Sequence, residues 1–180
     1  MFAKHGYHAA KIDDIVAAAG VARGTFYLYF EDKRAIFEEI VDRTFARLGM
    51  SIVRVDTEHP SRTVGDQIRD NIRAIVHALL EDPATTKILL SDAVGLDPAF
   101  DRKLISFYEE TGKLLESSLA DGQERGIVAP GDTRMFAIMT LGAMKEIMYQ
   151  VTMRGLDYSE DRIVDQIYSF LCSGYLRSER

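Results

Sequence analysis

The stretch "GVARGTFYLYFEDKRAIF", residues 20–37, decides how the front of this chain is read. Just upstream, "IDDIVAAA" (residues 12–19) supplies Ile12, Ile15 and Val16 at helical spacing, and Ala18 and Ala19 are small enough to let a second helix approach. Gly20 can take the left-handed backbone that a sharp turn between helices needs. Residues 12–19 and 23–30 therefore read as two short helices joined at Gly20-Val21-Ala22. This is the layout of a helix-turn-helix, whose second helix lies in the major groove of DNA.

Working outward, the composition limits where such a role can sit. The net charge is −6 over 180 residues, but it is unevenly placed. Through Arg47 there are seven Lys/Arg against seven Asp/Glu; residues 48–180 hold fifteen against twenty-one. Any nucleic-acid contact is thus local to the front, because the acidic remainder repels phosphate. Nearly half the residues are hydrophobic, enough for a sizeable core and too many for global disorder. Cys172 is the sole cysteine, which excludes an intrachain disulfide and fits a reducing cytoplasm. No apolar run is long enough to span a bilayer, and the opening "MFAKHGYHAAK" lacks the apolar middle of a signal peptide. A soluble cytoplasmic protein with no membrane partner is the expectation.

Apolar residues recur at three and four rather than two, so the whole chain reads as helix. Val64, Ile68, Ile72, Ile75 and Leu79 form one stripe. Leu104, Phe107, Tyr108, Leu114, Leu115 and Leu119 form another, and Ile163, Ile167, Phe170 and Leu171 a third. Asp82-Pro83 and Asp97-Pro98 each set a capping acid before a proline at a first helical position. Gly126 marks a helix end, and Ser159 with Glu160 and Asp161 marks a start. These signals predict a stump before Gly6 and helices at 12–19, 23–30, 33 to about 54, 63–81, 84–94, 98–125, 133–154 and 160–177. The fold class is all-α: an N-terminal helix-turn-helix unit over residues 1–47, joined to a helical domain over 48–180.

The front segment resembles the TetR family of transcriptional repressors, whose members carry a pattern close to G-[VS]-[SA]-x-G-[TS]-x-Y-x-[YH]-F-x-x-K-x-x-[LI]. Gly20, Val21, Ala22, Gly24, Thr25, Tyr27, Tyr29, Phe30, Lys33 and Ile36 match it. The resemblance implies that Arg23 and Thr25 face base edges or adjacent phosphates, where an Arg donates twice to guanine and a Thr methyl packs on thymine. It implies that Tyr27 and Tyr29 reach phosphates, that Lys33 adds its charge to a helix start to make an anion site, and that Gly24 keeps the backbone clear. Phe26 and Phe30 read as core; Leu28 is open to either the groove or the interior. Two features depart from the pattern. Lys11 stands where the family has a capping Ser or Thr, so it leaves that helix start uncapped and becomes a candidate phosphate contact. The family also carries a full helix ahead of "KHGYHA", so the first helix is expected to be incomplete.

For the rest of the chain the resemblance implies a ligand-binding and dimerising domain. Independently, residues 134–153 hold five Met interspersed with Ala137, Gly142 and Ala143. Gly142 and Ala143, with Ile163, Ile167, Phe170 and Gly174 of the last helix, are the expected homodimer interface, two helices from each protomer. The expected effector pocket has Phe100, Phe107, Tyr108, Met139 and Met148 as walls and His77 or Asn71 as a polar contact, suiting a lipophilic molecule. Enzyme chemistry finds no footing: His5, His8, His59 and His77 lack metal-ligand spacing with one another or with Cys172, and there is no nucleophile elbow or phosphate-binding glycine loop. No cofactor and no metal are expected. The reading is a non-enzymatic homodimeric regulator that binds a double-stranded operator and is released by a small, largely apolar effector. The alternative, favoured by Lys11 and the shortened first helix, is a helical small-molecule-binding protein that has lost DNA binding.

Overall fold

Each helix of the front unit starts or stops for a reason visible in its residues. The computed structural model describes residues 1–59, 61–87, 89–90 and 98–177, with 98–100 described by backbone alone. Helix α1 (Phe2–Ala9) bends at Gly6, which has a φ of 76°. Helix α2 (Ile12–Ala19) follows Lys11, whose side chain makes no cap hydrogen bond, as a residue that only donates must leave it. Gly20, with φ 67° and ψ 27°, closes α2. Its N–H donates to Ala17 O and the Val21 N–H to Val16 O, the paired bonds of a Schellman turn. Helix α3 (Arg23–Tyr29) leaves that turn at once. Helix α4 (Lys33–Ser51) is capped by Asp32, whose carboxylate accepts from the Ala35 N–H at 2.8 Å.

Lys33, the first residue of α4, ties α1 down. Its Nζ donates to the carbonyls of Tyr7, His8 and Ala10 at 2.8, 3.0 and 3.1 Å, and lies 4.6 Å from the Tyr7 ring centroid. Carbonyls at and just past the end of α1 lack helical donors, and the helix dipole favours a cation there. The ammonium expected at a phosphate is therefore occupied inside the protein.

The remaining helices build the body: α5 (Val64–Glu81), α6 (Pro83–Lys87), α7 (Pro98–Glu124), α8 (Thr133–Arg154) and α9 (Glu160–Gly174). Their starts follow the sequence. Thr63 and Asp66 form a capping box on α5, and Asp82 accepts from the Thr85 N–H ahead of Pro83 in α6. Asp132 and Ser159 cap α8 and α9. Pro98 opens α7, while Asp97 lies outside the described residues. Among the described residues the only β pairing is an isolated bridge between Val128 and Leu176.

Two helix ends fall short of expectation, each because another partner takes the backbone. Helix α4 stops at Ser51 rather than about 54, since the Asn71 side-chain amide receives the Val53 N–H at 2.9 Å and donates to the Val53 carbonyl at 2.7 Å. Helix α9 stops at Gly174 rather than 177, where Arg177 N–H donates to Ile127 O and Ala129 N–H to Tyr175 O. Of the helix expected at 84–94, α6 covers 84–87; residues 88 and 91–94 lie outside the described set.

Two buried clusters organise the packing. The body core joins Ile72 and Val76 of α5, Leu119 of α7, Ala137 and Met148 of α8, and Ile163, Val164, Ile167 and Leu171 of α9. A second cluster crosses between front and body: Phe2 and Ala10 meet Phe37 and Val41 of α4, Leu89 after α6, and Leu104 of α7. Outside the body core, Arg69, Arg73 and His77, spaced four apart on α5, face the acids of α9. Arg69 pairs with Asp165, Arg73 with Asp161 at 2.5 Å, and His77 Nδ1 lies 3.0 Å from Glu160 Oε2.

Lys33→Ala is expected to lower stability by about 1–3 kcal/mol in the absence of DNA and to speed hydrogen exchange in α1. Urea denaturation and amide exchange check this, and an unchanged protein would mean the three carbonyls do not need the lysine. The Glu160 hydrogen bond first, and its charge second, raise the His77 pKa above its ordinary value. The histidine's contribution is therefore full below about pH 6.5 and fades as pH rises through the raised value. The urea midpoint of the parent should exceed that of His77→Gln at about pH 5.5 and converge with it by about pH 9.

Candidate nucleic-acid interface

The candidate interface is the outer side of α3. Phe26 points inward, 5% exposed, and Phe30 is half-buried. Arg23, Gly24, Tyr27, Leu28 and Tyr29 face outward, with Thr25 half-buried at their edge. Leu28 and Tyr29 are 80% and 77% exposed, which resolves Leu28 as an outward residue. A Cβ built on Gly24 meets nothing within 4 Å, so the backbone there is open to a close partner. Ala18 and Ala19 are exposed rather than wedged between the helices. The buried side chains of the pair are Val16 and Phe26.

Arg23 is held in place. Its Nη1 donates to Asp13 Oδ1 at 2.7 Å across from the first turn of α2, and its Nη2 lies 3.5 Å from the Tyr27 hydroxyl. The guanidinium carbon sits 5.8 Å from the Tyr27 ring centroid. The Tyr27 hydroxyl first, and the Asp13 charge second, push the Arg23 pKa further up. By sequence, Asp13 and the consecutive Asp14 read only as a solvated face, since neighbours on a helix diverge by about 100°. The signal for Asp13 was its place ten residues ahead of Arg23, across a turn that brings two helix starts together. Lys11 is exposed at the head of α2, beside this surface in sequence; Lys33 is half-buried beneath α1.

The expected dimer residues divide. Gly142 and Gly174 are exposed, and nothing lies within 4 Å of a Cβ at either; Phe170 is also exposed, and Ala143 half-buried. Ile163 and Ile167, by contrast, are buried in the protomer's own core and do not face a partner. The correction follows from helix phase: residues 163, 164, 167 and 171 form the buried stripe of α9, which leaves 170 and 174 outside. On α8 the exposed apolar residues are Met135, Ile138 and Met139, one turn before Gly142. Because α8 is apolar on several sides, its sequence did not say which side faces out.

The expected pocket residues do not converge. Asn71 is committed to the Val53 backbone, and His77 is on the outer surface beside Glu160. Met139 is exposed with the α8 face, and Met148 is fully shielded in the body core. Phe107 stacks on Phe45 of α4 with centroids 3.8 Å apart and planes 4° from parallel. Tyr108 packs against the cluster around α4, where burial pushes its hydroxyl pKa up. These two stay together; the side chain of Phe100 lies outside the described residues. A cavity of about 250 Å³ opens between the start of α5 and the end of α9, lined by Gly65, Ile68, Tyr168, Cys172 and neighbours, and none of the expected pocket residues borders it. Among the described residues no group of three His, Cys, Asp or Glu is placed to hold a metal ion. No helix among them is long and apolar enough to cross a membrane.

Comparison with known proteins places this geometry. Residues 1–40 match "Bacterial regulatory proteins, tetR family", and residues 61–175 match "Tetracyclin repressor-like, C-terminal domain". The uncharacterized HTH-type transcriptional regulator YdgC of Bacillus subtilis (strain 168) is 33% identical over 89 residues, 48% of this chain and 46% of its own length. The HTH-type transcriptional repressor DhaR of Mycobacterium sp. (strain GP1) is 27% identical over 135 residues, 71% of this chain and 64% of its own. The chain thus spans about half to two thirds of the length of these relatives. The regulator FadR of Bacillus subtilis, solved in complex with stearoyl-CoA, shares the fold with a TM-score of 0.74 at 24% identity, over 96% of this chain and 92% of that one. With its helix-turn-helix and its helical body both matched, this chain belongs to the TetR family of bacterial regulatory proteins.

Proposed function

We propose that the protein is a homodimeric transcriptional repressor, with a DNA-binding unit over residues 1–47 and a ligand-binding and dimerising domain over 48–180. One observation carries the reading. The exposed side of α3 carries a restrained arginine, an open glycine and Leu28, flanked on one side by Tyr27, whose ring rests against Arg23 and Phe26, and on the other by exposed Tyr29. In the groove, Arg23 supplies donors to a base edge, Gly24 admits the backbone, and the tyrosine hydroxyls reach phosphate. Lys11 is a further phosphate contact. Lys33 acts one step removed, holding α1 against α4 so that α3 is presented at a fixed angle.

The dimer forms through the exposed faces of α8 and α9, with Met135, Ile138, Met139 and Phe170 as its apolar content and Gly142 and Gly174 letting the helices close in. Release follows from the cluster that crosses α4. Phe37 and Val41 pack on Leu89 and Leu104, so a ligand that shifts α7 or the segment after α6 also moves α4 and the α3 that precedes it. Dimer half-sites sit about one DNA turn apart, so a small change in α3 spacing weakens simultaneous binding. The ligand must prefer the splayed state; tight binding without preference releases nothing. Its class is proposed to be a long-chain acyl-CoA thioester, on the support of the stearoyl-CoA complex of the Bacillus subtilis neighbour.

Arg23→Ala is expected to weaken binding to a duplex selected from a random library by about 10–100-fold and to relax preference at one base pair, read by fluorescence anisotropy and reselection. Phe170→Glu should shift the protein toward monomer in sedimentation velocity and abolish two-half-site binding. Stearoyl-CoA should release the selected duplex while free coenzyme A does not. Failure of the parent to enrich any sequence, at low salt, would sink the repressor reading, and a null result with acyl-CoA alone would sink only the effector class.

A further inference from the structure

The residue left unused is Asp13. A carboxylate on a surface that meets DNA repels phosphate, and the sequence places this one where it neutralises the cation best situated to read a base. Arg23 Nη1 donates to Asp13 Oδ1 at 2.7 Å, Nη2 lies beside the Tyr27 hydroxyl at 3.5 Å, and the guanidinium stands over the Tyr27 ring. Both partners are well exposed, so water does not compel the pairing, and the contact lies at the start of α3 beside the open backbone of Gly24.

We propose that Asp13 is a specificity-determining positioning residue, which holds the Arg23 guanidinium in one orientation and cancels its charge until a base-edge acceptor displaces the carboxylate. This rests on the reading that α3 enters the major groove. An exposed ion pair is weak, so an acceptor such as the paired O6 and N7 of guanine can replace it. A single phosphate offers less to the planar donor pair and must still contend with the adjacent carboxylate. The restraint is built by the local fold: the Schellman turn at Gly20 fixes the start of α3 opposite the first turn of α2, where an acid is also favoured by the helix dipole. The balanced charge of residues 1–47 fits the same logic, since non-specific affinity depends on net phosphate neutralisation, and this front carries no excess of cations.

The test compares the full-length parent, Asp13→Asn, Arg23→Ala and the double variant. Each is titrated against the duplex the parent selects and against an unrelated duplex of equal length, over a range of salt. Asp13→Asn is expected to tighten binding to the unrelated duplex by about 3–10-fold at low salt and to steepen its salt dependence by about one counterion. Its gain on the selected duplex should be smaller, so the specificity ratio falls. Reselection with Asp13→Asn should relax the same base pair that Arg23→Ala relaxes. In the Arg23→Ala background, Asp13→Asn should leave base preference unmoved. Thermal midpoints control for folding, and Asp13→Ser serves if the asparagine variant does not fold. Equal gains on both duplexes, with reselection unchanged, would overturn the proposal as a mere charge effect. If Arg23→Ala itself leaves preference intact, the groove reading of α3 fails and takes this inference with it. If Arg23→Ala relaxes preference and Asp13→Asn does not, only the role of Asp13 fails.

Discussion

Phe37 and Val41, one turn apart on α4, are shielded almost completely from water, and the arrangement of the molecule depends on what surrounds them. The Phe37 ring meets those of Phe2 and Tyr7 from α1 in edge-to-face contacts, while the cluster around it also takes in Leu89 and Leu104 from the body. Apolar area is removed from water on both sides of one helix, so α4 cannot serve the front unit without serving the body. A helix-turn-helix of three short helices has too little interior to stand well alone. Here it shares its core. That sharing gives a mechanical route between the body and α3, because close-packed interiors move as blocks rather than yield smoothly.

Much of this was legible in the sequence, and the reasons are specific. Helix starts were readable because each depends on one or two neighbours: Asp82 and Ser159 accept the backbone bond their residue type favours, and Asp32, Thr63 and Asp132, which were not singled out, do the same. The turn at Gly20 was readable because few residues other than glycine hold that backbone angle. Helix ends were less so. Ser51 and Gly174 are terminated by Asn71 and by the pairing of Tyr175 and Arg177 with residues 127 and 129, partners far along the chain that local pattern does not reveal.

The site was legible in proportion to how local its chemistry is. Arg23, Gly24, Tyr27 and Tyr29 lie on one short helix whose inward residue, Phe26, sets the phase of the rest. The lysine of the same motif has partners that local pattern did not reveal: its ammonium donates to the carbonyls of Tyr7, His8 and Ala10, just past the bend of α1 at Gly6. Residues of the body were harder still. Stripes showed which side chains share a helix face but not what that face meets, so Ile163 and Ile167 were placed at a partner when they close the protomer's own core. Met139 and Met148, nine apart on α8, lie one on the surface and one in the interior.

The closure of the body by α9 has a consequence for how the protein is made. Arg69 pairs with Asp165, and Ile72 and Val76 share a core with Ile163, Val164 and Ile167, contacts that join residues nearly a hundred positions apart. On a ribosome α5 emerges long before α9 does, with its apolar stripe uncovered for the interval. Synthesis at about 5–20 residues per second makes that interval several seconds, during which the body lacks its last wall. The front cluster is complete earlier along the chain, since Leu104 is the last of its buried members to be synthesised. The nascent chain therefore completes its front unit first and its body last, and the exposed face that α9 shares with α8 is assembled only when α9 has docked.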